Sequence, residues 1–317
     1  MPLTATQQQF LSEITDDIFM EEKDSEKLRD FFSLRYNPDY YNYQNKKKSS
    51  QEDGEKKTIS ELLNEKWTGI GSTIQRTSKQ VRDCLVNKYS EEILNDLGEE
   101  EFNFIKNPGT GGRFWKPLYN WLWEQKFPRW VDDNFFPFLE KEAVPNQDWI
   151  NFRDDEEMLY GKENRLYIPK PPKKEEQPPL KLSLKKPYWA LINLPERDGY
   201  LLLLNRGVVS RCVVCPSYAF AVDYHLEKIG LLPQQESLTY ELGCRFTFEK
   251  EGVEKFVAIA FRQPLDLEWL KPNEEEAAPE LTGERMQDLW QELENQGNWR
   301  VYSQQVEVAG EDDLKTA

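Results

Sequence analysis

The sequence predicts an α+β protein: a helical N-terminal domain followed by a β-rich, sandwich-like C-terminal domain that carries one late helix. Three observations lead there. Apolar residues recur with helical spacing as far as about Leu97, and beyond Pro187 they gather in short β-branched and aromatic runs. Between the halves, Pro169 to Pro187 reads PKPPKKEEQPPLKLSLKKP, charged, Pro-rich and unable to bury a surface. The expected domains are therefore 1–168, helical; 169–187, a linker open to a regulatory protease; 188–308, β-rich; and 309–317, a tail. A chain of 317 residues suits two cores better than one.

The 10 Trp, 14 Tyr and 17 Phe supply the buried area that a 38% apolar fraction would otherwise lack. A net charge of -16, from 57 acidic and 41 basic residues, repels nucleic acid and acidic membranes unless the basic residues are segregated. The opening MPLTATQQQFLSEITDD has no basic head followed by an apolar run, so neither a signal peptide nor a membrane span is expected. Four cysteines make no disulfide framework. These features predict a cytoplasmic protein with no membrane partner.

Taken in chain order, Phe10, Leu11, Ile14, Ile18 and Phe19, then Leu28, Phe31 and Phe32, predict amphipathic helix between Thr6 and Leu34. Tyr36 to Tyr43 reads as a turn, and QNKKKSSQEDGEKK, which lacks any apolar residue, as a solvated loop. Helix is expected again from Thr58 to about Leu97, with the acidic GEEE at Gly98 to Glu101 as a break. A further helix from Trp115 to Phe127 gathers Trp115, Trp121 and Trp123, with Trp130 beyond; dense aromatics of this kind make core more readily than a ligand cage. In the second half YWALINL, GYLLLLN, VVSRCVV, CRFTFEK and KFVAIAF predict strands. TGERMQDLWQELEN predicts a helix with Met286, Leu289, Trp290 and Leu293 inward, and WRVYSQQVEV a last strand.

Candidate chemistry centres on Cys212, Cys215, His225 and Cys244, since zinc accepts three thiolates and an imidazole. Against a metal, Val213 and Val214 favour an extended strand, where residues three apart face opposite ways. Buried thiols with no cofactor are the expectation. A redox pair would need a helix N-terminus beside it, whereas Pro216 leads into irregular chain. His225, the only histidine, stands two residues after Asp223, and a triad would need a nucleophile brought up by the fold. NPGTGGRF at Asn107 to Phe114 lacks the Lys-Ser/Thr of a phosphate loop and reads as a turn. The NRG between the two apolar bursts predicts a hairpin, with Gly207 at a positive φ.

The order GYLLLLN, RCVVCPSYAFA, GLLPQQES and YELGCRFTFEKEGVEKFVAIAFRQPLDLEWL resembles an uncharacterised bacterial β-rich domain found at the C-termini of multidomain conflict-system proteins. The resemblance covers roughly Pro187 to Val308. Its marks are CPS, LPQ, and Gly252, Glu254, Ala258 and Ile259. In that family the domain accompanies caspase-like proteases, kinases or helical adaptors. The resemblance implies a recognition or structural module with no catalytic residues to carry over, and a protein partner such as a caspase-like protease or another effector.

One segment carries a polyanion signature. KWTGIGSTIQRTSKQVRDCLVNKY, Lys66 to Tyr89, fits a helix-turn-helix, with Ile70, Ile74, Val81 and Leu85 inward, Gly71 between the helices and Thr77 capping the second. Its outward face would present Arg76, Lys79, Gln80, Arg82 and Lys88 to phosphates and base edges. From Lys46 to Lys88 ten Lys and Arg face six Asp and Glu, so basic residues are segregated here. The leading expectation is nonetheless a non-enzymatic adaptor or regulator of a defence-type effector, working through protein contacts. DNA-binding regulation is the alternative.

Overall fold

The computed structural model describes residues 3–20, 25–40, 59–67, 74–108, 113–145, 149–154, 180–209 and 211–310. The chain divides into two compact units, Met1–Val131 and Asp132–Ala317.

In the first unit α1 (Ala5–Phe19) and α2 (Ser25–Arg35) bury the apolar residues that their spacing singles out, from Phe10 to Phe32. Thr4 opens α1 with a capping box shared with Gln7. Then come α3 (Ile59–Lys66), α4 (Ile74–Lys88) and α5 (Ser90–Lys106). The acidic GEEE does not end a helix: α5 runs through it and bends at Gly98, whose φ of 80 takes the backbone out of helical geometry.

Next, α6 (Trp115–Trp121) passes through one π-helical turn (Leu122–Lys126) into α7 (Phe127–Glu142), well beyond the expected end at Phe127. The buried residues Leu118, Leu122, Phe127 and Val131 advance by four, then five, then four positions. The longer step falls on the π turn, where the Phe127 N–H donates to the Leu122 carbonyl. That wider turn absorbs one additional residue and keeps the apolar stripe on one side of the helix. Trp121 is fully buried, as a core aromatic should be.

Aromatic N–H and O–H groups latch carboxylates of neighbouring helices throughout this unit. Trp67 Nε1 donates to Asp30 at 2.7 Å, Trp121 Nε1 to Asp96 at 2.7 Å, Trp130 Nε1 to Glu13 at 2.7 Å, and Tyr89 Oη to Asp17 at 2.6 Å. Bonds to an ionised acceptor are roughly twice as strong as neutral ones, so part of the acidic surplus serves the fold.

The second unit holds two sheets. A three-stranded antiparallel sheet joins β1 (Ile150–Arg153), β3 (Trp189–Ile192) and β6 (Leu231–Leu232) in the order β1-β3-β6. A five-stranded sheet runs β2-β8-β7-β4-β5, from β2 (Leu180–Ser183), β8 (Arg300–Ala309), β7 (Gly252–Phe261), β4 (Tyr200–Arg206) and β5 (Arg211–Cys215). Among the described strands only β2 and β8 pair in parallel. Ile150, Phe152, Ala190 and Ile192 of the small sheet share one apolar core with Leu201, Leu203, Phe256, Ala258 and Tyr302 of the large one. The architecture is therefore α+β and sandwich-like, as the sequence predicts.

Leu202, Leu204, Val257 and Ile259 alternate with those core residues and are buried on the opposite face of the large sheet. Helix α9 (Gly283–Gln296) buries Met286, Leu289, Trp290 and Leu293; Trp290 stacks on Phe138 with ring centres 4.5 Å apart, and Arg206 of β4 lies over Phe136. A four-residue helix, α8 (Leu238–Glu241), precedes it.

The expected domain limits need correcting. The compact units meet in sequence at Val131 and Asp132, not in the Pro-rich stretch, because β1 lies ahead of that stretch and pairs with β3. Leu180 to Ser183, expected to be linker, alternates apolar and polar residues and joins β8 as a strand. Residues 155–179, with most of the expected linker and its cleavage reading, lie outside the described residues, as does the end of the expected tail at 311–317. CRFTFEK buries Phe246 and Phe248 but makes only an isolated bridge, Tyr188 to Phe246.

The β4–β5 hairpin explains Gly207 differently from the turn argument. Its φ lies outside the left-handed region, and the constraint is close approach: a Cβ here would stand 2.1 Å from Glu254 Oε2. Glu254, only 7% exposed, accepts from Asn205 Nδ2 at 3.0 Å and from the Val208 N–H at 3.2 Å. Gly252 does have a positive φ, of 141. Gly252 and Glu254 thus shape and tie down the hairpin.

Candidate functional site

The Cys-x-x-Cys lies on β5. Register against β4 shifts between Leu203 and Leu204, so that Cys215 opposes Leu203 whereas Cys212 opposes Asn205. This bulge at Val214 resets the alternation, and both cysteines meet the same inner core instead of facing opposite ways. Burial lifts the Cys215 thiol well above its ordinary range; burial, aided by the Glu254 carboxylate, pushes Cys212 up to about 11. Both stay protonated at neutral pH, and the thiolate is the form that binds metal or attacks. Cys244 and His225 are exposed on other segments. Among the described residues no three His, Cys, Asp or Glu side chains group where a metal ion could sit. Cys212, Cys215, His225 and Cys244 are therefore not brought together as a zinc site.

Asp223 and His225 do meet. Asp223 Oδ1 lies 2.7 Å from His225 Nδ1 and accepts the His225 N–H at 3.0 Å, while Oδ2 accepts from Lys228 Nζ at 2.6 Å. Partial burial alone would raise this carboxyl, but the bonds from Lys228 and His225 outweigh it and hold Asp223 at about 2. The buried hydroxyl of Ser217 donates its one proton to the Val214 carbonyl at 2.7 Å, leaving none for an imidazole to take.

Asp223 and Lys228 instead form one wall of an open cleft of ≈ 560 Å³, whose other walls include Trp189, Leu231, Pro233, Glu236 and Tyr240. Its loop is held by Gln234, which accepts the Asp223 N–H at 3.0 Å and donates to the Asp223 carbonyl at 2.6 Å. Ser237 then caps α8 and donates to the Gln234 carbonyl at 2.7 Å. On the cleft side of the small sheet Trp189, Leu191 and Leu231 make a separate apolar cluster. The Tyr240 ring lies 6.0 Å from Trp189, and Arg245 stacks over the indole at 4.9 Å. Tyr240 and Leu242 remain 38% and 66% exposed.

Strand β6 forms the edge of this sheet. The Ile192 N–H donates to the Gly230 carbonyl, which makes Leu191 and Leu231 a non-hydrogen-bonded pair one step along. The N–H and C=O of Leu231 therefore point away from β3, toward the open edge.

The basic set on the first unit is dispersed. Arg76, Lys79 and Gln80 are exposed on one face of α4, which also carries Asp83. Arg82 is 5% exposed, bonded to Asp83 through Nε at 2.9 Å and stacked over Phe114, so it does not join the outward face. Lys88 pairs with Asp17 at 2.6 Å. Helix α4 already starts at Ile74, so Thr77 is a buried interior residue and not a cap; Ile70 and Gly71 lie outside the described residues.

No family model matches the chain, and no curated protein matches it. The cleft residues Trp189, Leu231, Glu236 and Tyr240 escaped the sequence reading because none belongs to a chemical motif. One signal was present: Pro233, directly after an apolar pair, cannot donate to a ladder and so marks an edge strand.

Proposed function

We propose that the chain is an adaptor or regulator that holds a protein partner at the cleft of its second unit. The observation that carries this reading is the pairing of an open strand edge at Leu231 with the exposed Tyr240 of the same cleft, and with the exposed Leu242 at the end of the helix that carries Tyr240, a combination that suits a polypeptide better than a small polar substrate. The resemblance in the C-terminal half supplies the partner class, a caspase-like protease or another effector of a cytoplasmic defence system. DNA contact through α4 has weaker support, since Arg82 and Lys88 are both engaged within the unit.

The test is co-purification of the full chain from its host alongside a Tyr240→Ala/Leu242→Ser variant. A stoichiometric protein retained by the parent and lost from the variant supports the proposal. A partner that both retain, or turnover of a small substrate by the purified chain, overturns it.

A further inference from the structure

The cleft has a polarity as well as a shape. Lys228, the one lysine on its described lining, is already bonded to Asp223, and Arg245 lies over Trp189, while Glu236 on the lining and Glu227, which neighbours Lys228 outside it, have no ion pair among the described residues. Acidic charge is thus in surplus beside the backbone edge, and the chain as a whole carries -16. The apolar cluster of Trp189, Leu191 and Leu231 lies on one face of the small sheet, with Leu231 and the neighbouring Tyr240 its accessible members, so a strand laid beside β6 would place every second side chain against them.

We infer that the cleft binds an extended, basic segment of a partner protein by strand addition to β6, with apolar residues alternating over Leu231 and Tyr240 and lysine or arginine meeting Glu236. The inference rests on the protein-contact reading above and adds its mode and its ligand chemistry. The Leu231 N–H and C=O supply the register: they bond one residue of the incoming strand, as an edge strand bonds any new neighbour. Pro233 ends the ladder by withholding a donor, which limits the graft to the Gly230–Leu231 side. Basic residues add attraction that salt screens.

The probe is a library of short random peptides displayed against the full chain, followed by fluorescence anisotropy with the enriched sequence made synthetically. Enriched peptides should alternate apolar and basic residues. Glu236→Lys, at an exposed position that leaves the fold intact, should weaken binding by about tenfold, the scale of one charged hydrogen bond. N-methylation of the peptide amide that faces Leu231 should cost a similar factor, and hydrogen exchange at the Leu231 amide should slow when the peptide binds. Absence of enrichment, enrichment of acidic peptides, or binding that leaves exchange at Leu231 unchanged overturns the inference. If those results come while the host partner is still lost from the Tyr240→Ala/Leu242→Ser variant, strand addition fails and the adaptor reading stands.

Discussion

The contact between Gly207 and Glu254 predicts a change of sign. With Glu254 present, Gly207→Ala forces a methyl into the space of a buried carboxylate, 2.1 Å from Oε2, and overpacking of this kind costs about 1–3 kcal/mol. Glu254→Ala alone removes two hydrogen bonds to an ionised acceptor, from Asn205 and Val208, for a loss of about 2–4 kcal/mol. In the double variant the obstruction is gone. Since the φ of Gly207 lies outside the left-handed region, alanine there should stabilise by about 0.5 kcal/mol through the unfolded chain. Gly207→Ala is therefore destabilising when the glutamate is present and mildly stabilising in the Glu254→Ala background, a coupling of about 2 kcal/mol. Urea unfolding of the four proteins, read by far-ultraviolet circular dichroism on the transition that Glu254→Ala itself moves, measures it. Equal effects of Gly207→Ala in both backgrounds would refute the reasoning.

Other outcomes follow from the same structure. Thiol alkylation of the native chain near neutral pH should modify Cys244 first and reach Cys212 and Cys215 only after unfolding, as mass spectrometry of digested protein will show. Because the folded pKa of Asp223 is depressed to about 2, its stabilisation is present above the unfolded value of about 3.9 and is lost as pH falls through 2; Asp223→Asn should flatten that part of the acid unfolding curve. Deletion of Glu124 from the π turn should convert it to ordinary α-helix and be tolerated, whereas deletion of the exposed Asp288 from α9 turns Leu289, Trp290 and Leu293 out of line with Met286 and should lower the Tm steeply. Arg82→Ala should destabilise the chain, while Arg76→Ala leaves stability unchanged, which thermal unfolding distinguishes.

The helices and most strands were legible because burial imposes a period on the sequence. Every apolar position read in α1, α2 and α9 is buried, since each helix offers the core one continuous stripe. Legibility failed where tertiary contact overrode local pattern. Proline and lysine around Leu180 to Ser183 masked a strand whose partner, β8, lies over a hundred residues away, and a bulge at Val214 turned an argument from strand alternation around. The side chains of the cysteine set were named before the fold, yet their separation depends on which loops carry Cys244 and His225. The cleft was invisible for a related reason: its useful groups include the backbone of Leu231, which no residue type announces.

The order of strands in the large sheet bears on how the protein is made. Strand β8 sits between β2 and β7, so the sheet stays in two pieces until Arg300–Ala309 has emerged from the ribosome. Residues of the first unit emerge far earlier and have time to collapse on their own. During that interval β7 carries an unpaired edge lined by Phe256, Ala258 and Ala260, the kind of surface that neighbouring nascent chains or chaperones capture. Slow translation over the stretch ahead of β8 would lengthen the exposure, and yield of intact protein should depend on codon choice there more than anywhere in the helical half.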